Sequence, residues 1–314
     1  MKSLACLLLA ALLCSCTTTT PHGGNTADSF QLQVRLKKGE AHLQKMTMEQ
    51  VVSQQIQGME IVVNQTMGFD MLQEVLDVDE KGNANLKVTY VAARMKHSSM
   101  MGEFNYDSAN PPQELPPQVM GLAALVGNGF TMKVDSRGEI LSISGLDELL
   151  ENAIKALDVE EGPMRVALAK ALKEQFGEAA MKESMSQQST IYPDKKLSVG
   201  DTWEQKSTTT RGFAAIMDTK YTVSSRKDGI VSIDMSSFIT ENPKGEPMDM
   251  GVARMRYNVR GMQKGTITIN EKTGVPTRMN IRQKLDGTVK LLNEDEEWPI
   301  SIESTITVEV IRKK

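Results

Sequence analysis

The chain has 314 residues, 36 Lys and Arg against 40 Asp and Glu, a net charge of −4, and only 4% aromatic residues. No basic patch interleaves with aromatics, which excludes the usual nucleic-acid footprint. All three cysteines, Cys6, Cys14 and Cys16, fall at the start of the chain, so the remainder can form no disulfide, thiol nucleophile or Cys-ligated zinc site.

The chain opens with Met1-Lys2-Ser3, an apolar run from Leu4 to Leu13, and small residues before Cys16. A basic start, a short apolar stretch and a small-residue cleavage point make a secretory signal. The run is too short for a mature membrane helix, which needs ~20 apolar residues. Leu13-Cys14-Ser15-Cys16 resembles the bacterial lipobox. That resemblance implies removal of residues 1–15 and acylation of Cys16, which would hold the chain on a membrane. Thr17, not Asp, follows the cysteine; in Gram-negative envelopes this resembles an outer-membrane address facing the periplasm. Residues 16–29 read as a polar, lipidated tether of which the 17–27 stretch reaches ~35–40 Å at most.

Beyond the tether, period-two alternation predicts strands at Phe30–Leu36, Leu86–Val91, Gly265–Ile269 and Ile300–Val310. Alternation means one wet face and one buried face, which suits antiparallel hairpins. Two segments look like copies. Leu36-Lys37-Lys38-Gly39-Glu40 runs on to Gln44-Lys45 and Thr47 as Leu197-Ser198-Val199-Gly200-Asp201 runs on to Gln205-Lys206 and Thr208. Each is followed by two charged Gly turns, at Val78–Asn83 and Val134–Glu139 in the first half and at Ser225–Gly229 and Asn270–Val275 in the second. Landmarks in one order argue for an internal duplication; chance matches among Lys/Gly/Asp-rich turns are the alternative.

The middle differs. Asn110-Pro111-Pro112 and Leu115-Pro116-Pro117 break any strand, and a short helix follows around Val119–Val126. Leu146, Leu149, Leu150, Ala153, Ile154 and Leu157 recur at helical spacing, with Ser144 and Asp147 resembling a capping box. Gly162-Pro163 opens a second helix with an apolar stripe of Met164, Ala167, Leu168, Ala171, Leu172 and Phe176, and a third covers Glu178–Met185. The fold expected is α+β but mostly antiparallel β, a curved half-barrel-like sheet of two similar meanders (30–144 and 191–314) around a helical insert (145–190), with 30–314 as one structural unit.

The Lys37-Lys38-Gly39-Glu40 strand entry, Val199-Gly200-Asp201-Thr202-Trp203, Tyr106-Asp107-Ser108 and Gly129-Phe130 before the Asp135–Gly138 turn resemble a family of uncharacterised bacterial envelope lipoproteins. The resemblance spans about 30–312. It implies a curved antiparallel sheet with helices on the concave side, loosely similar to the half-barrels of periplasmic lipoprotein carriers, and it carries no assigned activity.

Catalytic signatures are absent from the sequence. His22, His42 and His97 show no metal-ligand spacing, and no G-x-S-x-G elbow marks a serine. The acidic clusters around Asp77-Asp79-Glu80, Asp158-Glu160-Glu161 and Glu294–Glu297 lack the calcium-loop pattern and read as solvated turns. The scarcity of aromatics argues against a glycoside hydrolase, whose paired carboxylates sit in a cleft. Methionine is abundant, with 21 residues. Clustered thioethers can ligate Cu(I); the alternatives are an adaptable apolar surface or ordinary core packing. Trp203 reads as a packing anchor beside a turn. No metal or cofactor is expected. The expected protein is a non-enzymatic, Cys16-anchored envelope lipoprotein that binds an apolar ligand; docking on an envelope protein without a pocket is the alternative.

Overall fold

A computed structural model describes residues 29–313 apart from 57, 101, 116, 157–161, 163–164, 167–168, 170–172, 174–176, 189–190, 211–213, 250–253, 293 and 295. The leader, Cys16, His22 and the apolar stripe expected between Met164 and Phe176 lie outside the described residues. The strands are β1 Ala41–Ile56, β2 Met59–Val78, β3 Ala84–Ser99, β4 Gly102–Asp107, β5 Gly129–Val134, β6 Ile140–Ser144, β7 Thr202–Thr208, β8 Ala215–Lys227, β9 Ile230–Glu241, β10 Met248–Asp249, β11 Arg254–Asn270, β12 Pro276–Leu291 and β13 Glu296–Lys313. The helices are α1 Pro117–Leu125, α2 Leu146–Ala156 and α3 Glu178–Gln188.

The strands form one open, curved, 13-stranded sheet. Its order is β6-β5-β3-β2-β1-β13-β12-β11-β9-β8-β7, with β4 added to β3 and β10 to β11. Every pairing is antiparallel. The expected mostly antiparallel β fold is what the chain adopts. The stretches 86–91, 265–269 and 300–310 fall inside β3, β11 and β13. The first and last long strands pair along most of their length, so β1 and β13 stand side by side at mid-sheet.

Phe30–Leu36 is a correction. It is extended but joins no ladder; its one bridge is Phe30 to Leu197. Its amides instead reach two turns: Val34 N donates to Ser136 O at 2.7 Å and Arg35 N to Thr273 O at 2.8 Å. Phe30 and Leu32 are buried beside Trp203, Tyr221 and Ile267, and Leu36 packs on the cluster of β3, β5, β6 and α2. The segment therefore alternates because one side is buried, while its hydrogen bonds tie the β5–β6 and β11–β12 turns together. Tyr192 does the same from the other side. Its N–H donates to Arg137 O and its carbonyl accepts from Arg137 Nε, both at 2.9 Å, while its hydroxyl donates to Gly274 O at 2.8 Å.

The helices sit on the buried face. Leu146, Leu149 and Leu150 of α2 join Leu86, Val88, Phe130 and Met132 in one cluster, as the heptad-like spacing requires. Ser144 ends β6, and the Asp147 carboxylate accepts from Lys173 Nζ at 3.1 Å, so the expected capping box is not formed. Helix α3 lies between the two sheet edges. On β6, Lys182 Nζ donates to Leu141 O at 2.7 Å and Gly145 N donates to Glu178 Oε1 at 3.1 Å. Beyond β7, Thr210 N and its hydroxyl bond the Glu183 carboxylate. The sheet thus curls until one helix spans the gap between its ends, which also covers edges that would otherwise template aggregation.

Glycine lets the curl sharpen at β11. A Cβ on Gly261 would lie 1.9 Å from Lys284 O, and one on Gly265 would lie 2.4 Å from Asn280 O. Only Gly tolerates such an approach of neighbouring backbones. Gly261 stands between Ile239 and Leu285 in register, and those two side chains share a buried cluster with Met217, Val259, Ile300 and Ile302.

Candidate functional site

Register sorts the side chains into two unlike faces. On the inner face, one cross-strand row runs Phe104, His97, Gln65, Gln50, Ser304, Gln283, Gln263, Ser237, Thr219, Gln205 over ten strands from β4 to β7. The row on one side reads Tyr106, Met95, Met67, Met48, Ile306, Ile281, Gly265, Met235, Tyr221, Trp203. The row on the other reads Gly102, Ser99, Val63, Val52, Ile302, Leu285, Gly261, Ile239, Met217, Ser207. None of these thirty positions is Asp, Glu, Lys or Arg, in a chain that is 24% charged. A neutral polar band lies between two apolar ones.

The band is partly self-paired. Thr219 and Ser237 hydroxyls are 2.8 Å apart, and Gln50 Nε2 donates to Ser304 Oγ at 3.3 Å. His97 stacks on Phe104 at 5.0 Å and its Nε2 lies 3.3 Å from Ser99 Oγ. The side-chain amides of Gln65, Gln263 and Gln283 make no hydrogen bond among the described residues, although all three are half-buried. Met48 and Met67 are also half-buried and belong to none of the four core clusters. The inner face is therefore packed under α1, α2 and the Phe30–Leu36 segment, and at mid-sheet Leu285, Ile300 and Ile302 are buried in a cluster of strand residues alone, with Met48 and Met67 beside it half-buried.

The outer face carries the charge. An open trough of about 1680 Å³ is lined by strands β1–β4, β9 and β11–β13 and by no helix residue. Its lining takes two outward residues and the one between them from several strands, such as Glu49 and Val51 with Gln50, and Asn64 and Thr66 with Gln65, so members of the neutral row also border it. Acids and bases alternate there. Lys284 Nζ pairs with Glu303 at 2.8 Å, with both side chains about 60% exposed (61% and 59%). Glu303 holds the Lys284 ammonium above its usual range by hydrogen bonding and charge. This is a solvated, charge-balanced saddle rather than an enclosed pocket.

The residues singled out in the sequence are scattered. His42 is buried where β1 meets β13, opposite Arg312 and Gln73, and its Nε2 has no partner among the described residues. Burial lowers its pKa and Arg312 adds to this, against the pull of Glu40. His97 lies at the far end of the neutral row. Asp79 caps the β2–β3 turn: it accepts from Lys81 N at 3.0 Å, from Asn83 N at 2.9 Å and from Asn83 Nδ2 at 2.8 Å, and pairs with Lys133 at 3.0 Å. The Asn83 amide and Lys133 hold its carboxyl well below the usual range. Asp158, Glu160 and Glu161 lie outside the described residues, while Glu296 and Glu297 begin β13. No three His, Cys, Asp or Glu side chains converge as a metal site among the described residues. Trp203 is buried, stacked on Tyr221 at 5.0 Å, with Nε1 donating to Ile191 O at 3.2 Å, as a packing anchor should be. Met46, Met48, Met67 and Met95 share the inner face. The glutamines were not singled out by the sequence alone. Their signal was position: each stands where its strand's alternation calls for an apolar residue.

A curled antiparallel sheet whose central inner rows carry no charge defines the architectural class. The chain belongs to a family of unknown function, DUF6263, which matches residues 81–276. No curated protein matches. Among solved structures, similarity extends to lipovitellin, from a study of its lipid–protein interactions, at TM-score 0.45 and 11% identity over 88% of this chain and 25% of that one. It extends also to an outer membrane channel from Pseudomonas putida F1 at TM-score 0.26 and 8% identity, over 88% and 97% of the two chains. OccK7 from Pseudomonas aeruginosa follows at TM-score 0.25 and 6% identity, over 89% and 100%. The chain spans a quarter of the length of lipovitellin.

Proposed function

We propose that this chain is a non-enzymatic binding lipoprotein of the bacterial envelope. It is anchored through acyl chains on Cys16, faces the periplasm from the outer membrane, and holds an apolar ligand against its inner face. The observation that supports the reading is three adjacent inner rows, ten strands wide, that hold no carboxylate, ammonium or guanidinium group. Met48 and Met67 on that face are half-buried and lie outside the four core clusters, and Met supplies adaptable contact.

We also propose that the two halves arose by duplication. Gly39 N donates to Val75 O and Val75 N to Glu40 O, each at 2.9 Å, while Gly200 N donates to Val223 O at 2.8 Å and Val223 N to Asp201 O at 2.9 Å. The β5–β6 and β11–β12 turns likewise share a cap, with Asp135 Oδ1 accepting from Arg137 N and Asn270 Oδ1 from Lys272 N.

The anchor is tested by Cys16→Ala with palmitate labelling and membrane fractionation; unchanged membrane association and labelling would refute it. The ligand is tested by native mass spectrometry of the purified chain with organic extraction. One observation favours the second reading, docking on an envelope protein: Phe238 and Met262 are paired neighbours on the outer face and 52% and 49% exposed. In-cell crosslinking from position 238 would separate the two, since only docking requires a stable protein neighbour there.

A further inference from the structure

The trough is charge-balanced as a whole, but its strands are not alike. Strand β11 holds no Asp or Glu, and its bases Arg254, Arg256, Arg260 and Lys264 all fall at the exposed parity. In register, Lys264 stands opposite Arg282 of β12 and Arg256 opposite Lys290. Like charges facing one another across a sheet are destabilising. The nearby acids are engaged elsewhere or stand apart. Glu303 and Glu309 of β13 hold Lys284 and Arg278, Asp286, opposite Arg260, accepts from Ser301 Oγ at 2.7 Å, and Asp234 of β9 faces Thr266. Arg256, Arg260, Lys264 and Arg282 form no ion pair among the described residues. Between Arg260 and Lys264 stands Met262, with Phe238 of β9 beside it, 49% and 52% exposed.

Resting on the reading of Cys16 as an acyl anchor, we infer that this basic stripe is where the domain lies on its bilayer, and that it binds anionic phospholipid headgroups. The bases reach the phosphates, while Phe238 and Met262 enter the boundary between headgroups and acyl chains. A chain of net charge −4 gains from an anionic surface only where its bases are segregated, as on β11 and β12. A protein partner suits the stripe less well. Protein interfaces centre on an apolar core from which Lys is depleted, and here Lys264 and Lys284 flank only two apolar side chains. The tether agrees with a bilayer. The chain enters the fold at Phe30, under the Arg226 guanidinium at 4.8 Å. Arg226 also pairs at 2.7 Å with Glu271, just past the end of β11. Lys264 lies ~20 Å up β11 from that end, within the ~35–40 Å that the tether spans.

The test uses the processed chain from residue 16, carrying Cys16→Ser so that no attached acyl group contributes. Its sedimentation with phosphatidylcholine vesicles is compared with and without about a third phosphatidylglycerol, at about 0.1 M salt. The anionic vesicles should carry the chain down, the neutral ones should leave it in solution, and binding should fade as salt rises. Lys264→Gln with Arg282→Gln should weaken the partition roughly thirtyfold. Lys37→Gln with Lys38→Gln, which removes the same charge from the exposed turn before β1, should leave it unchanged. Phe238→Ser should weaken it severalfold. The stripe variant should keep or raise its urea midpoint, because it relieves a like-charge pair, so its lost binding is not lost folding. Equal binding to both vesicles, equal loss from the two double variants, or a duplex oligonucleotide bound more tightly than the vesicles would overturn the assignment. So would no vesicle binding at all, and a crosslink from position 238 would then pass the patch to a protein partner. None of these outcomes touches the Cys16 anchor, which palmitate labelling reads separately.

Discussion

Tyr192→Phe isolates one hydrogen bond that ties the connection before β7 to the β11–β12 turn. The ring is fully buried. Burial, with a smaller contribution from Tyr221, pushes the phenol above its usual range, so it stays a donor at any pH where the protein folds. Its hydroxyl reaches Gly274 O at 2.8 Å, and no other donor to that oxygen occurs among the described residues. Phenylalanine keeps the packing and strands the carbonyl. Leaving one buried acceptor unsatisfied costs about 1–3 kcal/mol. Tyr192→Ala also loses the ring, which adds a cavity and brings the cost to about 3–5 kcal/mol. Urea unfolding followed by circular dichroism gives both values, provided the slope with denaturant is unchanged. A Tyr192→Phe loss below about 0.5 kcal/mol, within the range of surface changes, would refute the view that this contact holds the clasp.

The remaining predictions concern the curl and the titrating groups. Gly261→Ala should cost about 3 kcal/mol or more, because the clash is with backbone rather than a mobile side chain. Gly68→Ala, whose Cβ would meet nothing closer than 3.6 Å, should cost under about 1 kcal/mol; paired denaturation curves decide this. Asp79 and Glu271 both titrate below their ordinary values, the first chiefly through Asn83 and the second through Arg226. A depressed carboxyl contributes stability above its unfolded pKa and loses it as pH falls through the folded one. Urea midpoints should therefore drop below about pH 4.5, and Asp79→Asn with Glu271→Gln should flatten that limb. His42 is depressed by burial, so the unfolded chain takes up a proton first and stability should decline as pH falls below about 6.5. His42→Leu should abolish that slope in midpoints measured between about pH 7 and 5, and a slope that survives would assign it elsewhere.

Alternation made β3, β11 and β13 legible because each buries one face against neighbours. It misplaced Phe30–Leu36 for the same reason. Phe30, Leu32 and Val34 do turn toward buried clusters, so the pattern reports an extended backbone with one buried side. It says nothing about whether the amides meet a ladder or, as here, two turns. Ser144 and Asp147 misled differently: the spacing was right for a cap, but Lys173 supplies a partner from outside the local sequence.

The site was illegible for a reason of register. In β1, the inward positions read His42, Gln44, Met46, Met48, Gln50, Val52, Gln54, and the glutamines there pass for an imperfect strand. The interruption acquires meaning only when Gln50 is found opposite Gln65 and Ser304, and Ser304 opposite Gln283. Those pairings are set by hairpins and by the β1–β13 junction, which joins residues more than 250 positions apart. Gln44, Gln54 and Gln73 share the inward parity in other rows, and Gln73 Nε2 donates to Gln44 Oε1 at 2.7 Å, so register and not parity alone decides which polar side chains meet.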